Sequence, residues 1–247
     1  MSLRLPNPAS LLQHVASQCA VCHGWPARRV CASCLARFGQ PLAALARCRS
    51  CALTLPASRS PQCAACLRQP PPLDACFAAV AYAYPWSDLV ARYKFADDPA
   101  WAEVFASLLL KTPGVLQTLA TLQADDWLIP MPLSVERLQS RGFNQAWELV
   151  KALARQSGTL AQSDARLLLR IKNTLPQAQL KREARLQNVR GAFVVSPLRA
   201  SEIKNRRVLL VDDVMTSGAS LFGAAQALRE AGAAQVSGIV CARTEQE

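Results

Sequence analysis

The sequence predicts an α/β fold, a parallel sheet flanked by helices, preceded by a small cysteine-built module. Three observations carry that prediction. Residues 207–220, RVLLVDDVMTSGAS, run from four apolar residues (Val208–Val211) through two adjacent carboxylates into a small, hydroxyl-rich turn. Behind the turn, Leu221, Ala224, Ala225 and Leu228 recur on one helical face, and QVSGIVCAR (235–243) follows as a second apolar run. Strand, helix and strand in that order form a βαβ unit, which implies parallel pairing and a right-handed crossover. The third observation is that eight of the ten cysteines fall in the first 72 residues, at one repeated spacing.

Those eight form four pairs: Cys19/Cys22, Cys31/Cys34, Cys48/Cys51 and Cys63/Cys66. Two thiolates separated by two residues can both turn inward at a tight knuckle, and two knuckles complete a tetrahedral sulfur shell. Four knuckles therefore predict two structural zinc ions; sequential pairing is the simplest, and a crossed arrangement fits the same spacings. A disulfide framework needs an exported chain. The opening MSLRLPNPASLLQHVASQ has no sustained apolar segment and no run reaches membrane-spanning length, so a cytoplasmic protein without membrane insertion is expected. Four CxxC copies also fit a redox motif poorly. Cys76 and Cys241 lie among apolar neighbours and read as buried thiols; His23 reads as a surface histidine.

The formal net charge is +11, and its distribution divides the chain at the same place. Residues 1–72 hold eight arginines and no Asp or Glu, whereas 73–247 are nearly balanced. Basic modules favour polyanions such as nucleic acid. Eight thiolates with two Zn²⁺ sum to about −4, however, so part of this charge neutralises the clusters. Trp25 and Phe38 are the aromatics of the module, which favours contact with a nucleic-acid backbone over base stacking. Arg166 to Arg190, with seven Lys/Arg against one Glu, is a second basic stretch.

RQPPPL (68–73) supplies a stiff spacer, giving a zinc module over 1–72 and an α/β domain over 73–247. CFAAVAYAY (76–84) reads as a strand. Asp98-Pro99 suits a helix start, with Trp101, Val104, Phe105, Leu108 and Leu109 on one face. DWLIPMPL (126–133) gives a strand running into a proline-bounded loop. A helix begins near Asn144, ARLLLRI (165–171) reads as a strand, and Gly232 is placed to end the helix that follows the motif.

Ligands of parallel sheets gather beyond the carboxyl ends of the strands, where Asp212 to Ser220 fall. A loop entering a helix offers backbone N–H groups and the positive end of the helix dipole, which suits phosphate. The carboxylates before it would repel phosphate unless they faced something else, and sugar hydroxyls are their natural partner. A ribose 5-phosphate satisfies both halves of the motif.

VLLVDDVMTSGAS resembles the phosphoribosyl-pyrophosphate (PRPP) motif of type I phosphoribosyltransferases. The resemblance implies Asp212 and Asp213 at the ribose hydroxyls and Thr216, Ser217, Gly218, Ala219 and Ser220 at the 5-phosphate. Four CxxC knuckles, QPPP, YKF (93–95), RGFNQA (141–146), then Arg170, Thr174, Gln177, Leu180, Arg185, Asn188 and Phe193, and the PRPP motif, are together similar to the ComF family. That family joins a double zinc ribbon to a type I phosphoribosyltransferase-like domain and is associated with competence, the uptake of single-stranded DNA in natural transformation. The resemblance implies PRPP with Mg²⁺ as ligand, and single-stranded DNA and DNA-uptake proteins as partners. It puts pyrophosphate at the PMPLSVER loop (Met131, Pro132), with Arg137 and Arg141 supplying positive charge and Lys94 a further cation. Arg141 and the Asp pair are the candidate catalytic residues. The 6-oxopurine enzymes of the class carry a carboxylate where this chain has Thr216, which cannot serve as a base at neutral pH. The acceptor is thus open, and transfer to an unidentified acceptor, or a zinc-ribbon platform for a protein partner, are the competing readings.

Overall fold

The computed structural model describes residues 17–39, 46–56, 60–95, 98–172 and 191–245. Thr174, Gln177, Leu180, Arg185, Asn188, Arg4, Arg59 and most of the basic stretch 166–190 lie outside them. The chain divides into two compact units, Met1–Pro41 and Leu42–Glu247.

In the first unit Cys19 opens a knuckle whose turn is closed by the His23 N–H donating to the Cys19 carbonyl at 2.9 Å, with His23 at φ +60°. Ser17 bridges Ala27 in antiparallel fashion, and helix α1 (Ala32–Gly39) begins within the second knuckle and carries Cys34. The second unit begins with the same device. The Ala52 N–H donates to the Cys48 carbonyl at 2.8 Å, Ala52 stands at φ +55°, Arg47 bridges Thr54, and α2 (Ala64–Arg68) begins within the last knuckle, with Cys63 at its N-cap and Cys66 inside it. A left-handed residue thus follows Cys22 and Cys51, turning the chain back at the first knuckle of each cluster.

The sheet and its helices follow in the second unit. They are β1 (Ala75–Ala81), α3 (Trp86–Phe95), α4 (Trp101–Leu110), α5 (Val115–Thr121), β2 (Trp127–Pro130), α6 (Val135–Arg141) and α7 (Gln145–Ser157). Next come β3 (Leu168–Arg170), β4 (Phe193–Val195), a 3₁₀ turn (Pro197–Glu202), β5 (Arg207–Met215), α8 (Ala219–Glu230) and β6 (Gln235–Arg243). Among the described residues the main sheet has the order β1-β6-β5-β2, with every pair parallel. Val208 and Leu210 share one core cluster with the α8 residues Leu221, Ala224 and Leu228. Leu209 and Val211 point the opposite way and are equally buried, as expected for a parallel sheet covered on both faces. Helices α4 and α7 pack on each other and on the sheet.

Several sequence expectations change in detail. The strand carrying the motif does not stop at Val211 but runs to Met215, because β6 is long enough to pair Asp212 with Val240 and Met215 with Arg243. The ARLLLRI segment contributes only Leu168–Arg170, which pairs antiparallel with β4 in a separate two-stranded sheet. Asn144 caps α7 as its sequence position suggests, accepting from the Ala146 N–H at 2.9 Å. Asp98 instead accepts from the Ala100 N–H ahead of a helix that starts at Trp101. No helix among the described residues is long and apolar enough to cross a membrane.

Candidate functional site

The cysteines gather sequentially: Cys19, Cys22, Cys31 and Cys34 form one group, and Cys48, Cys51, Cys63 and Cys66 the other. Within each group all sulfurs lie within 4.8 Å of one another. The Cys22–Cys31 and Cys51–Cys63 separations are 3.7 and 3.8 Å. A tetrahedron with Zn–S bonds of about 2.3 Å has edges of about 3.8 Å, so the donors fit zinc. Before a metal binds, the surroundings favour one thiolate in each group, while burial pushes the Cys34 and Cys48 thiols up and the hydrogen bond with Cys51, then burial, pushes Cys66 up. Burial works against ionisation of Cys19, but the N–H groups of Cys22, Cys31 and Val21 outweigh it and bring the thiol down to about 6. Hydrogen bonding from Cys66 brings Cys51 down to about 5, with Arg243 assisting. Cys76 and Cys241 are buried and stand apart from both clusters, and burial pushes both thiols up. His23 is exposed and belongs to neither group.

The second site opens where β2 ends. Pro130 pairs with Val211, and the Met131 N–H still donates to the Val211 carbonyl at 2.8 Å. Beyond that point β5 projects past its neighbour. Pro130 and Pro132 carry no N–H to extend the ladder. A cavity of about 310 Å³ occupies the step, lined by both carboxylates of β5 and by Met131, Pro132, Thr216, Gly218, Ala219 and Ser220. Ser217 is not part of the lining; its hydroxyl accepts from the Ala219 N–H at 3.4 Å. Gly218 stands at φ +84° and precedes α8, whose first residues Ala219, Ser220 and Leu221 line the cavity and bring the positive end of the helix dipole to it. A Cβ there would lie 2.5 Å from Met215 Cε and 2.7 Å from Phe222 Cζ, so the loop requires glycine.

Four cationic side chains enter the same cavity: Lys94, Arg137, Arg141 and Arg170. Lys94 Nζ meets Asp213 Oδ1 at 3.1 Å. Arg141 donates to Gln145 Oε1 at 3.0 Å and lies over the Phe95 ring at 5.3 Å. The YKF and RGFNQA segments are thereby explained as one assembly. The Tyr93 hydroxyl donates to the Gln145 carbonyl at 2.6 Å, the Gln145 amide reaches the Lys94 carbonyl at 3.5 Å, and Tyr93 packs on Phe143. Gln145 is buried and holds both cation-bearing segments in place. Asp212 accepts from the Asp213 N–H at 2.8 Å. Burial first, and the charge of Asp213 second, push its carboxyl up to about 7, against the opposing pull of Lys94 and Arg141.

The eight cysteines lie in the two clusters, and of the residues the resemblance implies for PRPP, all but Ser217 line this one cavity. Arg170, Tyr82, Asn144 and Gln145 join them without having been singled out for the site. Arg170 and Gln145 belong to resembling segments, but neither carries a local signal of its role, since three-dimensional convergence alone brings them to the carboxylates. Chemically, an acidic pair beside an amide-rich helix entrance and a cluster of cations can bind a phosphorylated sugar at both ends.

Comparison with known proteins agrees with this architecture. Residues 132–247 match the phosphoribosyl transferase domain model. The DNA utilization protein YhgH of Escherichia coli K12 is 32% identical over 189 residues, 76% of this chain and 80% of that protein. Competence protein F of Haemophilus influenzae is 32% identical over 174 residues, 70% of this chain and 75% of that protein. Competence protein ComFC of Bacillus subtilis is 30% identical over 168 residues, 65% and 62% of the two chains. With two four-cysteine clusters ahead of a parallel phosphoribosyltransferase-type sheet, the chain belongs to the ComF family.

Proposed function

We propose that the protein binds PRPP in the cavity at the end of β5 and supports the handling of single-stranded DNA in natural transformation. The observation that carries the first part is the convergence of Asp212 and Asp213 with the glycine-led entrance of α8 and four cations in one cavity. The carboxylates take the ribose hydroxyls, residues 216–220 the 5-phosphate, and Arg137 and Arg141 the pyrophosphate beside Met131 and Pro132. The oxygen donors of the Asp pair suit Mg²⁺, which when bound with PRPP spreads the charge of the departing pyrophosphate. Transfer from C1 of the ribose needs no protein nucleophile. Arg141, fixed by Gln145, would hold the leaving group in line. With Thr216 at the position of the purine base catalyst, the acceptor stays undefined.

The names of the relatives, DNA utilization and competence proteins, support the second part. So does the exposure of Arg28, Arg37, Arg49 and Arg68 on the cysteine-rich segments. Arg47, by contrast, is occupied by Glu245 at 3.3 Å. The test is calorimetric titration of the zinc-loaded chain with Mg²⁺ and PRPP beside its Asp212→Asn/Asp213→Asn variant. Binding in the wild type and not in the variant supports the reading; no binding in either refutes it. Single-stranded DNA affinity should fall steeply with salt, and a flat dependence would remove the DNA role.

A further inference from the structure

Arg243 ends β6 and is 3% exposed, which makes its guanidinium a buried cation. Its partners are carbonyl oxygens. Nε donates to Cys51 at 2.9 Å, and one terminal nitrogen donates to Met215 at 3.2 Å and also to Thr216 and Thr244. Three carbonyl dipoles converging on one point repel one another unless a cation sits between them. A trans peptide points its C=O and its N–H in opposite directions. Holding the Met215 and Thr216 carbonyls toward Arg243 therefore turns the Thr216 and Ser217 N–H groups away from it. Arg243 dictates how the first peptides of the loop are presented.

The counter-charge lies on the other side. A buried cation needs compensation, and zinc held by four thiolates carries about −2. Cys51, whose carbonyl accepts from Arg243, is one of the four ligands of the second cluster. The chain after β6 is laced between the same two partners. The Thr244 N–H donates to the Met215 carbonyl at 3.0 Å, and the Glu245 carboxylate accepts from the Thr54 N–H at 3.0 Å and its hydroxyl at 2.7 Å.

We propose that Arg243 is a positioning residue that makes the second cysteine cluster part of the phosphate site. Zinc at Cys48, Cys51, Cys63 and Cys66 fixes the Cys51 carbonyl, and Arg243 relays that constraint to the Thr216 and Ser217 peptides. The affinity for a sugar phosphate then depends on metal occupancy, and by linkage the ligand holds the metal more tightly. The proposal rests on reading residues 216–220 as a phosphate loop.

The experiment compares the zinc-loaded full chain with Arg243→Met, and with Arg243→Lys, which keeps the charge without the fork, should the first fail to fold. Amide exchange at Thr216–Ala219 should rise in the variant while that at Val208–Leu210 stays unchanged and zinc content remains at two per chain. PRPP affinity should weaken about tenfold, and saturating PRPP should tighten one zinc about tenfold in equilibrium competition with a chelator, in the wild type only. Unchanged loop exchange in a folded variant overturns the proposal, as does zinc affinity indifferent to PRPP in a wild type that binds it. If the wild type binds no PRPP, the phosphate-loop reading fails, and loop exchange alone still decides whether Arg243 couples the cluster to the loop.

Discussion

Replacing Asp212 by Asn should stabilise the unliganded protein, by an amount that grows with pH. Asp212 faces Asp213, Lys94, Arg141 and Arg170, and burial together with the Asp213 charge raises its carboxyl from 3.8 to about 7. A raised carboxylate pKa means that between those values the folded chain binds more protons than the unfolded one. Folding stability therefore falls as pH climbs from about 4 through about 7, and the penalty is complete above that range. At 1.36 kcal/mol per unit, the ionised carboxylate costs at most about 4 kcal/mol at pH 8 and under about 1 kcal/mol at pH 4. Asparagine keeps the acceptor oxygen that receives the Asp213 N–H at 2.8 Å and never ionises.

Even half of that ceiling is measurable. At about 2–4 °C per kcal/mol for a unit of this size, Asp212→Asn should melt at least about 4 °C above the wild type at pH 8 and within about 2 °C of it at pH 4. Scanning calorimetry from pH 4 to pH 8 reads the difference directly. The same variant should lose PRPP, so a gain in stability would accompany a loss of function. A difference in Tm that stays constant across the range would refute the reasoning, because it would mean that Asp212 titrates alike in both states.

Gly218→Ala places a methyl group against Met215 and Phe222 in a left-handed conformation, and should cost about 2 kcal/mol while weakening PRPP binding; a thermal melt and the titration check both. Asp126 is 4% exposed and binds Arg207 through Nε at 2.9 Å and a terminal nitrogen at 2.7 Å. Burial opposes its ionisation, but the Gln123 and Arg207 N–H groups and the guanidinium outweigh it and hold the carboxyl below 3.8. Its contribution is present above pH 4 and disappears as pH falls through the lowered value. Asp126→Ala should cost about 3 kcal/mol at pH 7, and its gap from the wild type should narrow near pH 3 in denaturant titrations.

What the sequence disclosed followed from local rules. The βαβ unit, the Asn144 cap and the cysteine spacing each depend on residues a few positions apart, so period and spacing suffice to read them. The reach of β5 to Met215 depends instead on register with β6, which no local pattern around Asp212 records. The sequential grouping of cysteines needed contacts between knuckles, the Cys31 N–H on the Cys19 sulfur and the Cys63 N–H on the Cys48 sulfur, which no spacing records. Gln145 reads as an ordinary helix-start residue. Its role comes from burial between Tyr93 and Arg141, brought together from separate segments. Arg243 reads as a polar end to an apolar strand, and only the convergence of the ribbon and the loop gives it four carbonyls to hold.

The two ends of β5 divide the work of the strand. At its start Arg207 is locked to Asp126 through backbone and side chain, and four apolar residues then run buried between β2 and β6. At its far end β2 has stopped, and adjacent carboxylates meet in a cavity where one of them resists ionisation. Such an end is unfavourable in isolation, and the arrangement survives because the same strand is anchored elsewhere and because Lys94 and Arg141 approach from other helices. A ligand that brings hydroxyls and a divalent cation to the carboxylates would relieve the repulsion between Asp212 and Asp213. Binding affinity and the stability penalty at Asp212 are thus two readings of one electrostatic imbalance, so substitutions that remove the penalty should also remove the ligand.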